Sequence, residues 1–259
     1  MACDNTLQIR RGGLFIWQKE VFLSVKHYTL ISKRYGSIWI GFGGFALSQK
    51  RKCQISLYLN FLECYPNEKV LEISSTSMLS LGAKLSAMNL KKRTKEGITT
   101  VESAFQSSRI YKNGTEIVGP FPEYLYLPGR ECKKLVKAAS NGWISKEYVF
   151  DAVTFYASAH HISLFYDFLY LKALLEPENQ EIKEQLLSEG YTAFSDLATK
   201  SLNCQARSAA IFVGLVKAGN GKWMQMLNLN LETFLEPMLM AARLVRNPMR
   251  MFNFYLRIE

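Results

Sequence analysis

The sequence predicts an α+β fold: a mainly helical single domain with a small β-sheet. Apolar residues recur at helical spacing in several long segments, most of them after residue 100. Short runs rich in β-branched and aromatic residues, which are typical of strands, lie between these segments. Hydrophobic residues make up 48% of the 259 residues, and no stretch rich in Pro, Gly or Ser divides the chain. The chain is therefore expected to bury one sizeable core.

The first part of the chain is predicted to contain strands and one helix. Residues 1–43 are rich in aromatic residues and glycine, and we interpret them as a strand-rich N-terminal extension whose degree of order the composition leaves open. Residues 48–64 have apolar residues at helical spacing, which predicts a helix with Ser48 as its N-cap. Residues 69–73 (KVLEI) are typical of a strand, and a polar loop follows them.

The elements that follow are predominantly helical. Helices are predicted over residues 101–111, 129–139, 163–175, 177–187 and 203–217. Thr99 or Thr100 is expected to cap the first of them. Alternating apolar residues over 147–156 indicate a strand, whereas Asn-Gly and two prolines predict a loop over 113–122.

The net charge of +10 favours binding to a polyanion such as DNA, RNA or an anionic membrane. The Lys and Arg residues form small clusters at positions 50–52, 91–95, 133–137 and 243–250. An ordinary solvated surface is the alternative interpretation of each cluster. Lys91, Lys92 and Arg93 directly follow a candidate groove segment, so we expect them at the rim of that groove.

Other features of the composition indicate a cytoplasmic protein without metal or cofactor. The five cysteines show no CxxC pair and no zinc-type spacing, which indicates free thiols in a reducing compartment. We see neither a signal peptide nor a transmembrane segment and expect no membrane association. No P-loop or dinucleotide-binding glycine motif is present. The apolar, Met-rich residues 219–259 are expected to form a helical tail packed on the core, with a membrane-surface helix as the weaker alternative.

The first candidate site lies on the helix predicted over 101–111. Glu102, Gln106 and Arg109 share one face of this helix by the i, i+3 and i+4 rule. They bring a carboxylate, an amide and a guanidinium together, a set suited to catalysis and to binding phosphate. A polar stripe near the start of a helix also occurs where the helix simply faces water, and spacing alone does not distinguish the two.

A second candidate segment follows the strand predicted over 69–73. Gly82, Ser86 and Asn89 are small or polar residues of the kind that line a ligand groove, and Lys84 lies beside them. By itself this pattern is also compatible with an ordinary loop.

The third candidate is the start of the helix predicted over 203–217. Its free backbone N–H groups are suited to binding an anion, and Arg207, one turn in, would add a forked contact. Asp196 precedes this helix, and Asn203 stands at its start. The alternative is an ordinary N-cap with a surface arginine.

Four motifs in this order resemble the NADAR family of N-glycosidases. They are LGAKLSAMNL, VESAFQSSR, FYDFLYLKAL and SLNCQARSAA, at residues 81–90, 101–109, 165–174 and 201–210. The upstream stretches GFALSQKRK and LEISS are similar to the branch of the family encoded beside DarT-class toxins, which ADP-ribosylate DNA. The resemblance spans roughly residues 44–218, which we interpret as a NADAR-like (YbiA-like) catalytic domain.

The resemblance implies hydrolysis of an N-glycosidic bond at C1 of a ribose, without a metal. For the toxin-linked branch, the implied substrate is ADP-ribose attached to guanine in DNA. The implied biological role is that of an antitoxin, with a cognate DNA ADP-ribosyltransferase toxin as a possible partner.

Such hydrolysis builds positive charge on the sugar and needs an anionic group, a proton donor and a positioned water. Glu102 is our candidate for the carboxylate beside C1, and Asp196 for a second carboxylate that orders water or a ribose hydroxyl. Lys84 is the candidate acid or covalent amine. The candidate ligand-binding residues are Gly82, Ser86, Asn89 and Gln106, with Arg109, Asn203 and Arg207 for the diphosphate.

The chain departs from the family pattern at three positions. Relatives commonly have Lys where this chain has Thr76 and Arg109, and Phe where it has Met88. An arginine cannot form an imine, so a lysine imine is excluded at Arg109. Two alternatives therefore remain open: a module that binds ADP-ribose or DNA without hydrolysis, and a hydrolase of small ribosylamine metabolites.

Overall fold

The computed structural model describes residues 46–151, 153–156, 159–196 and 205–218, together with four short N-terminal strands. These strands are β1 (Leu14–Ile16), β2 (Lys19–Ser24), β3 (Leu30–Tyr35) and β4 (Ile40–Phe42). Strands are thus present in the N-terminal extension, as predicted. Asn203 and the tail predicted over 219–259 lie outside the described residues.

Helices and strands alternate through the rest of the described chain. The helices are α1 (Leu47–Cys64), α2 (Ser80–Lys84), α3 (Val101–Ser107), α4 (Gly129–Ala139), α5 (Ala159–Leu174), α6 (Gln180–Ser188) and α7 (Gln205–Ala218). The strands are β5 (Val70–Glu72), β6 (Lys91–Arg93), β7 (Ile98–Thr100), β8 (Arg109–Asn113), β9 (Glu116–Val118), β10 (Ser145–Phe150), β11 (Val153–Tyr156) and β12 (Ala193–Ser195). The prediction that the chain combines helices and strands in an α+β fold is confirmed.

The strands form two four-stranded sheets and two separate pairs. One sheet is mixed, with the order β3-β2-β12-β5, and the other is antiparallel, with the order β11-β10-β8-β9. In the mixed sheet β5 and β12 run parallel, and Glu72 lies opposite Ser195. Because the carboxyl ends of parallel strands meet at one edge of a sheet, the residues that follow β5 and β12 are brought together there.

The core is built around α5. Every side chain from residue 165 to residue 174 is buried except that of Lys172, as expected of a helix that is apolar on nearly all sides. Phe105 of α3 packs against Phe165 and Tyr166 of α5 and against Tyr148 of β10, with ring centroids 5.2–5.8 Å apart. These aromatic contacts fix α3 between α5 and the antiparallel sheet. Among the described helices, none is long and apolar enough to cross a membrane.

Several predicted elements are confirmed, and one predicted cap is wrong. The helices predicted over 48–64 and 129–139 correspond to α1 and α4. Thr100 caps α3 by accepting a hydrogen bond from the Ser103 N–H at 3.2 Å. Ser48 is not an N-cap, because α1 begins at Leu47 after an extended Ala46.

The helix predicted over 101–111 ends earlier than expected. Ser108 follows α3, and its Oγ donates to the Ala104 carbonyl at 2.5 Å, a side-chain bond of the kind that competes with the helical pattern. From Arg109 the chain becomes β8, which pairs with β10. Arg109 therefore does not share a helix face with Glu102, and that part of the prediction is wrong.

Two further segments contain more strand than predicted. The loop predicted over 113–122 contains β9, because Gly114, with φ at 59°, closes a hairpin between β8 and β9. The single strand predicted over 147–156 is a hairpin of β10 and β11, which turns at Asp151 with φ at 49°. In both cases the chain reverses at a residue with positive φ. The alternation of apolar and polar residues predicts strands but does not predict where the chain turns back.

Gly82 allows α2 to approach β5 closely. A Cβ at this position would lie 2.0 Å from the Glu72 carbonyl oxygen and 2.5 Å from the Ser77 Oγ. The first of these atoms belongs to the backbone and cannot move without disturbing the sheet. The close packing of α2 on β5 is by itself sufficient to require glycine at position 82, and contact with a ligand stays a prediction.

We predict that Gly82→Ala lowers the free energy of unfolding by about 1–3 kcal/mol, the usual cost of overpacking. Urea denaturation measures this. Gly97→Ala is the matched control, because its Cβ would lie 3.4 Å from the nearest atom, in the Tyr126 ring, and should change stability by less than about 0.5 kcal/mol. Equal stabilities for the two variants would contradict the proposed packing constraint.

Candidate active site

The parallel strands β5 and β12 bring two buried polar residues to one edge of the mixed sheet. The Ile73 N–H donates to the Ser195 carbonyl at 2.8 Å, which extends the pairing one residue beyond β5. Ser74 and Asp196 come next in the two segments, and their exposed fractions are 2% and 1%. The edge therefore carries a buried carboxylate beside a buried hydroxyl.

Gln205, the first residue of α7, connects this edge to the segment between α2 and β6. Its Nε2 donates to the Ile73 carbonyl at 2.9 Å, and its Oε1 accepts from the Ala87 N–H at 2.8 Å. The Ala87 carbonyl in turn accepts from the Glu102 N–H at 2.9 Å. One buried amide thus joins the sheet edge, the LSAMNL segment and the start of α3.

Glu102 is the charged centre of this arrangement. Only 11% of its side chain is exposed. Its Oε1 accepts a hydrogen bond from Gln106 Nε2 at 2.9 Å and lies 3.9 Å from Nζ of Lys133 on α4. These contacts hold the carboxylate through Oε1, and no described residue bonds Oε2. The predicted association of Glu102 with Gln106 is confirmed.

The N-terminus of α4 forms a wall against Glu102. A Cβ at Gly129 would lie 2.9 Å from both Cβ and Cγ of Glu102 and 3.0 Å from Sδ of Met88. Gly129 therefore lets the backbone of α4 pack directly on the side chains of Glu102 and Met88. Lys133 follows one turn later on α4.

Arg109 lies near this carboxylate, although on a strand. Its guanidinium carbon is 5.1 Å from the centroid of the Phe105 ring and 5.5 Å from that of Tyr148. Burial raises the pKa of the Cys132 thiol to about 11, Glu102 adds to the rise and Arg109 opposes it. The Glu102 carboxylate and the Arg109 guanidinium therefore both lie close enough to the Cys132 thiol to affect its pKa. Cys132 is also fully buried, and a buried thiol with a raised pKa is poorly suited to act as a nucleophile.

The polar loop after β5 is held by both α1 and α4. Gln54, a buried residue of α1, donates to the Thr76 carbonyl at 3.3 Å. Arg130 of α4 contacts Ser75, with 3.4 Å between Nη2 and Oγ. The loop therefore connects the edge of the mixed sheet with the helix that walls Glu102.

The other groove residues have mostly local contacts. Ser86 is buried, and its Oγ accepts from the Met88 N–H at 3.4 Å. Asn89 is exposed and donates to the Ala83 carbonyl at 2.8 Å. The side chain of Lys84 is 46% exposed, and its amine lies 3.9 Å from a carboxylate of α6. Among the described residues, Lys84 therefore forms its ion pair with α6 and not with Glu102 of α3.

Arg207 is bound at the interface between α5 and α7. Its Nη2 lies 2.8 Å from Oδ2 of the fully buried Asp167, whose Oδ1 accepts from Ser208 Oγ at 2.6 Å. Burial raises the pKa of Asp167, while the Arg207 and Ser208 contacts oppose that rise. This contact ties two core helices together. Binding of a diphosphate by Arg207 stays a prediction.

Lys91, Lys92 and Arg93 were expected at the rim of the groove, available to bind DNA, but the contacts of two of them do not fit this expectation. Lys92 is buried, and its Nζ lies 2.8 Å from Glu176. Arg93 forms an ion pair with Glu178. Two of the three cations are therefore neutralised by carboxylates that lie some 85 residues further along the chain.

Three residues of the site were missed by sequence reasoning: Gln54, Lys133 and Gln205. Gln205 lies within the SLNCQARSAA motif, and Lys133 within a recognised basic cluster, so signals existed for both. Nothing in the local sequence identifies their partners, because Gln205 contacts residues more than 110 positions away. The partner of Gln54 is also hidden in the local sequence, because Thr76 lies 22 positions further along the chain.

The geometry suits chemistry that needs a fixed negative charge. A carboxylate oriented by an amide and accompanied by an ammonium group can stabilise a developing cation and exchange a proton with water. The described residues contain no group of three or more His, Cys, Asp or Glu side chains arranged to hold a metal ion.

The fold and site define an α+β protein with one buried carboxylate at the edge of a mixed sheet, Asp196, and another at the start of α3, Glu102. A family model described as the DarT1-associated NADAR antitoxin matches residues 18–243. The chain belongs to this family of antitoxins. This confirms the resemblance to the NADAR family and to its DarT-linked branch, and it implies a DarT toxin as partner. No match was found among curated proteins.

We predict that Gln205→Ala lowers the free energy of unfolding by at least about 2 kcal/mol. The change leaves the Ile73 carbonyl and the Ala87 N–H without their partner, and a buried unsatisfied group costs about 1–3 kcal/mol. Gln180→Ala, at an exposed position on α6, is the control and should have little effect. If both variants unfold at the same urea concentration, the Gln205 contacts contribute nothing to stability.

Proposed function

We propose that this protein is an N-glycosidase that removes ADP-ribose from guanine bases of DNA and so reverses the modification made by a cognate toxin. The carrying observation is Glu102, a buried carboxylate fixed by Gln106 and accompanied by Lys133. Family membership supports the antitoxin role. The proposed substrate also requires that the protein share a compartment with DNA, which we propose to be the cytoplasm.

The reaction breaks the bond between C1 of the ribose and a guanine nitrogen. The electron pair of that bond leaves with the nitrogen, which takes up a proton. A water oxygen bonds to C1, and the water gives up its proton. The products are unmodified guanine in DNA and free ADP-ribose, and the intervening transition state carries positive charge on the sugar.

Glu102 is proposed to stabilise this positive charge. Gln106 and Lys133 are both placed at Oε1, and Oε2 is the oxygen that we propose faces C1 or the attacking water. A preoriented charge needs no reorganisation during the reaction, which is why such groups contribute strongly to rate.

Lys133 is the better candidate for the role that the sequence assigned to Lys84. Its amine is the one described near Glu102, whereas that of Lys84 lies near α6. Lys133 is proposed to donate the proton to the leaving nitrogen or to contact a phosphate. Asp196 remains the proposed second carboxylate, since it lies at the sheet edge that Gln205 connects to Glu102.

The purified protein is predicted to release ADP-ribose from guanine-ADP-ribosylated DNA in buffer containing EDTA. Chromatography of the released nucleotide measures this, and mass spectrometry of the digested DNA should show restored guanine. Binding of the modified DNA without release would favour the alternative of a reader module. Release from small ribosylamines alone would favour the metabolite hydrolase.

We predict that Glu102→Gln lowers kcat by about 10²–10³, comparable to the loss of one preorganised electrostatic group. The substitution is isosteric, so the melting temperature should stay close to that of the parent. Glu116→Gln, at an exposed position on β9, is the matched control and should retain full activity. Full activity of Glu102→Gln would show that its charge has no part in the reaction.

A further inference from the structure

Helix α4 carries a row of cations on its exposed face. Arg130, Lys133, Lys134 and Lys137 follow the i, i+3, i+4 and i+7 pattern, which places them on one side of the helix, and all four are exposed. The opposite side carries Cys132 and Val136, both buried. The only acidic residue of α4, Glu131, lies on the flank of the basic row.

This row begins at the proposed active site. Lys133 lies 3.9 Å from Glu102, and Arg130 contacts the loop after β5. Lys134 and Lys137 continue the row away from the carboxylate. No carboxylate of the described residues forms an ion pair with either of them, in contrast to Lys92 and Arg93.

We propose that the basic face of α4 binds the phosphate backbone of DNA on one side of the modified guanine. The proposal rests on the proposed function and identifies the surface that recognises the substrate's polymer. Cations that are not already paired contribute to binding by releasing counterions from DNA, and the 91–93 cluster largely lacks such cations.

The dimensions agree with this role. Arg130 and Lys137 are seven residues apart, which corresponds to about 10 Å along an α-helix. Each strand of B-DNA carries one phosphate per about 3.4 Å of axial rise, so a row of this length can contact more than one phosphate. An unmodified nucleotide chain can therefore follow α4 while the ADP-ribosylated base reaches Glu102.

The test compares two double variants with equal changes of charge. Lys134→Gln/Lys137→Gln removes two cations from α4, and Lys91→Gln/Lys95→Gln removes two exposed lysines at β6 and its turn. Binding of a fluorescein-labelled 20-nucleotide single strand is measured by anisotropy over a range of salt concentrations. The α4 variant should lose about 1.4 from the slope of log affinity against log salt, two contacts at about 0.7 each, and the β6 variant should keep the parental slope.

Hydrolysis measured on two substrates completes the test. The α4 variant should lose kcat/KM on ADP-ribosylated DNA while acting on ADP-ribosylated guanosine, which has no flanking phosphates, within about twofold of the parent. Equal salt slopes in the α4 variant and the parent, or equal losses in both double variants, would overturn the proposal. So would a loss of binding to the toxin with DNA binding unchanged.

These outcomes are separable from failure of the proposed function. If the parent releases no ADP-ribose but binds DNA through α4, the N-glycosidase proposal fails and the surface stands. If the parent is active and α4 has no effect on DNA binding, only the surface proposal fails.

Discussion

The arrangement of the site depends on two hydrogen bonds of one buried amide, that of Gln205. The amide holds the Ile73 carbonyl on one side and the Ala87 N–H on the other, and Ala87 binds the backbone of Glu102. Both of its partners are backbone groups in a buried setting, where a missing partner is costly. The position of the Glu102 carboxylate is thereby linked to the parallel pairing of β5 and β12 and to the packing of α7 on α5, which the Asp167 ion pair reinforces.

Much of the fold could be predicted from local sequence. Apolar spacing located α1 and α4, and the proposal of a cap at Thr99 or Thr100 identified the start of α3. The order of four motifs indicated the family, and the association of Glu102 with Gln106 followed from the i, i+4 rule. These features depend on residues close together in the chain, which is where pattern reasoning is strongest.

The errors and omissions arise where distant residues decide the outcome. Arg109 belongs to a strand because β10 pairs with it, and Lys92 is buried because Glu176 neutralises it from a distant segment. The sequence around Arg109 fits helical spacing, and nothing in it indicates pairing with β10. The sequence around Lys92 resembles a charged surface, and nothing in it indicates Glu176 as a partner. Lys133 was missed as a site residue for the same reason, since its approach to Glu102 depends on the close packing at Gly129.

The central claim is that the negative charge of Glu102 stabilises positive charge on the ribose. Its most direct test is the affinity for an ADP-ribose analogue in which a protonated nitrogen replaces the ring oxygen, measured by calorimetry against ADP-ribose itself. The account predicts that the parent prefers the cationic analogue and that Glu102→Gln loses this preference while binding ADP-ribose as before. A preference of equal size in both proteins would contradict it.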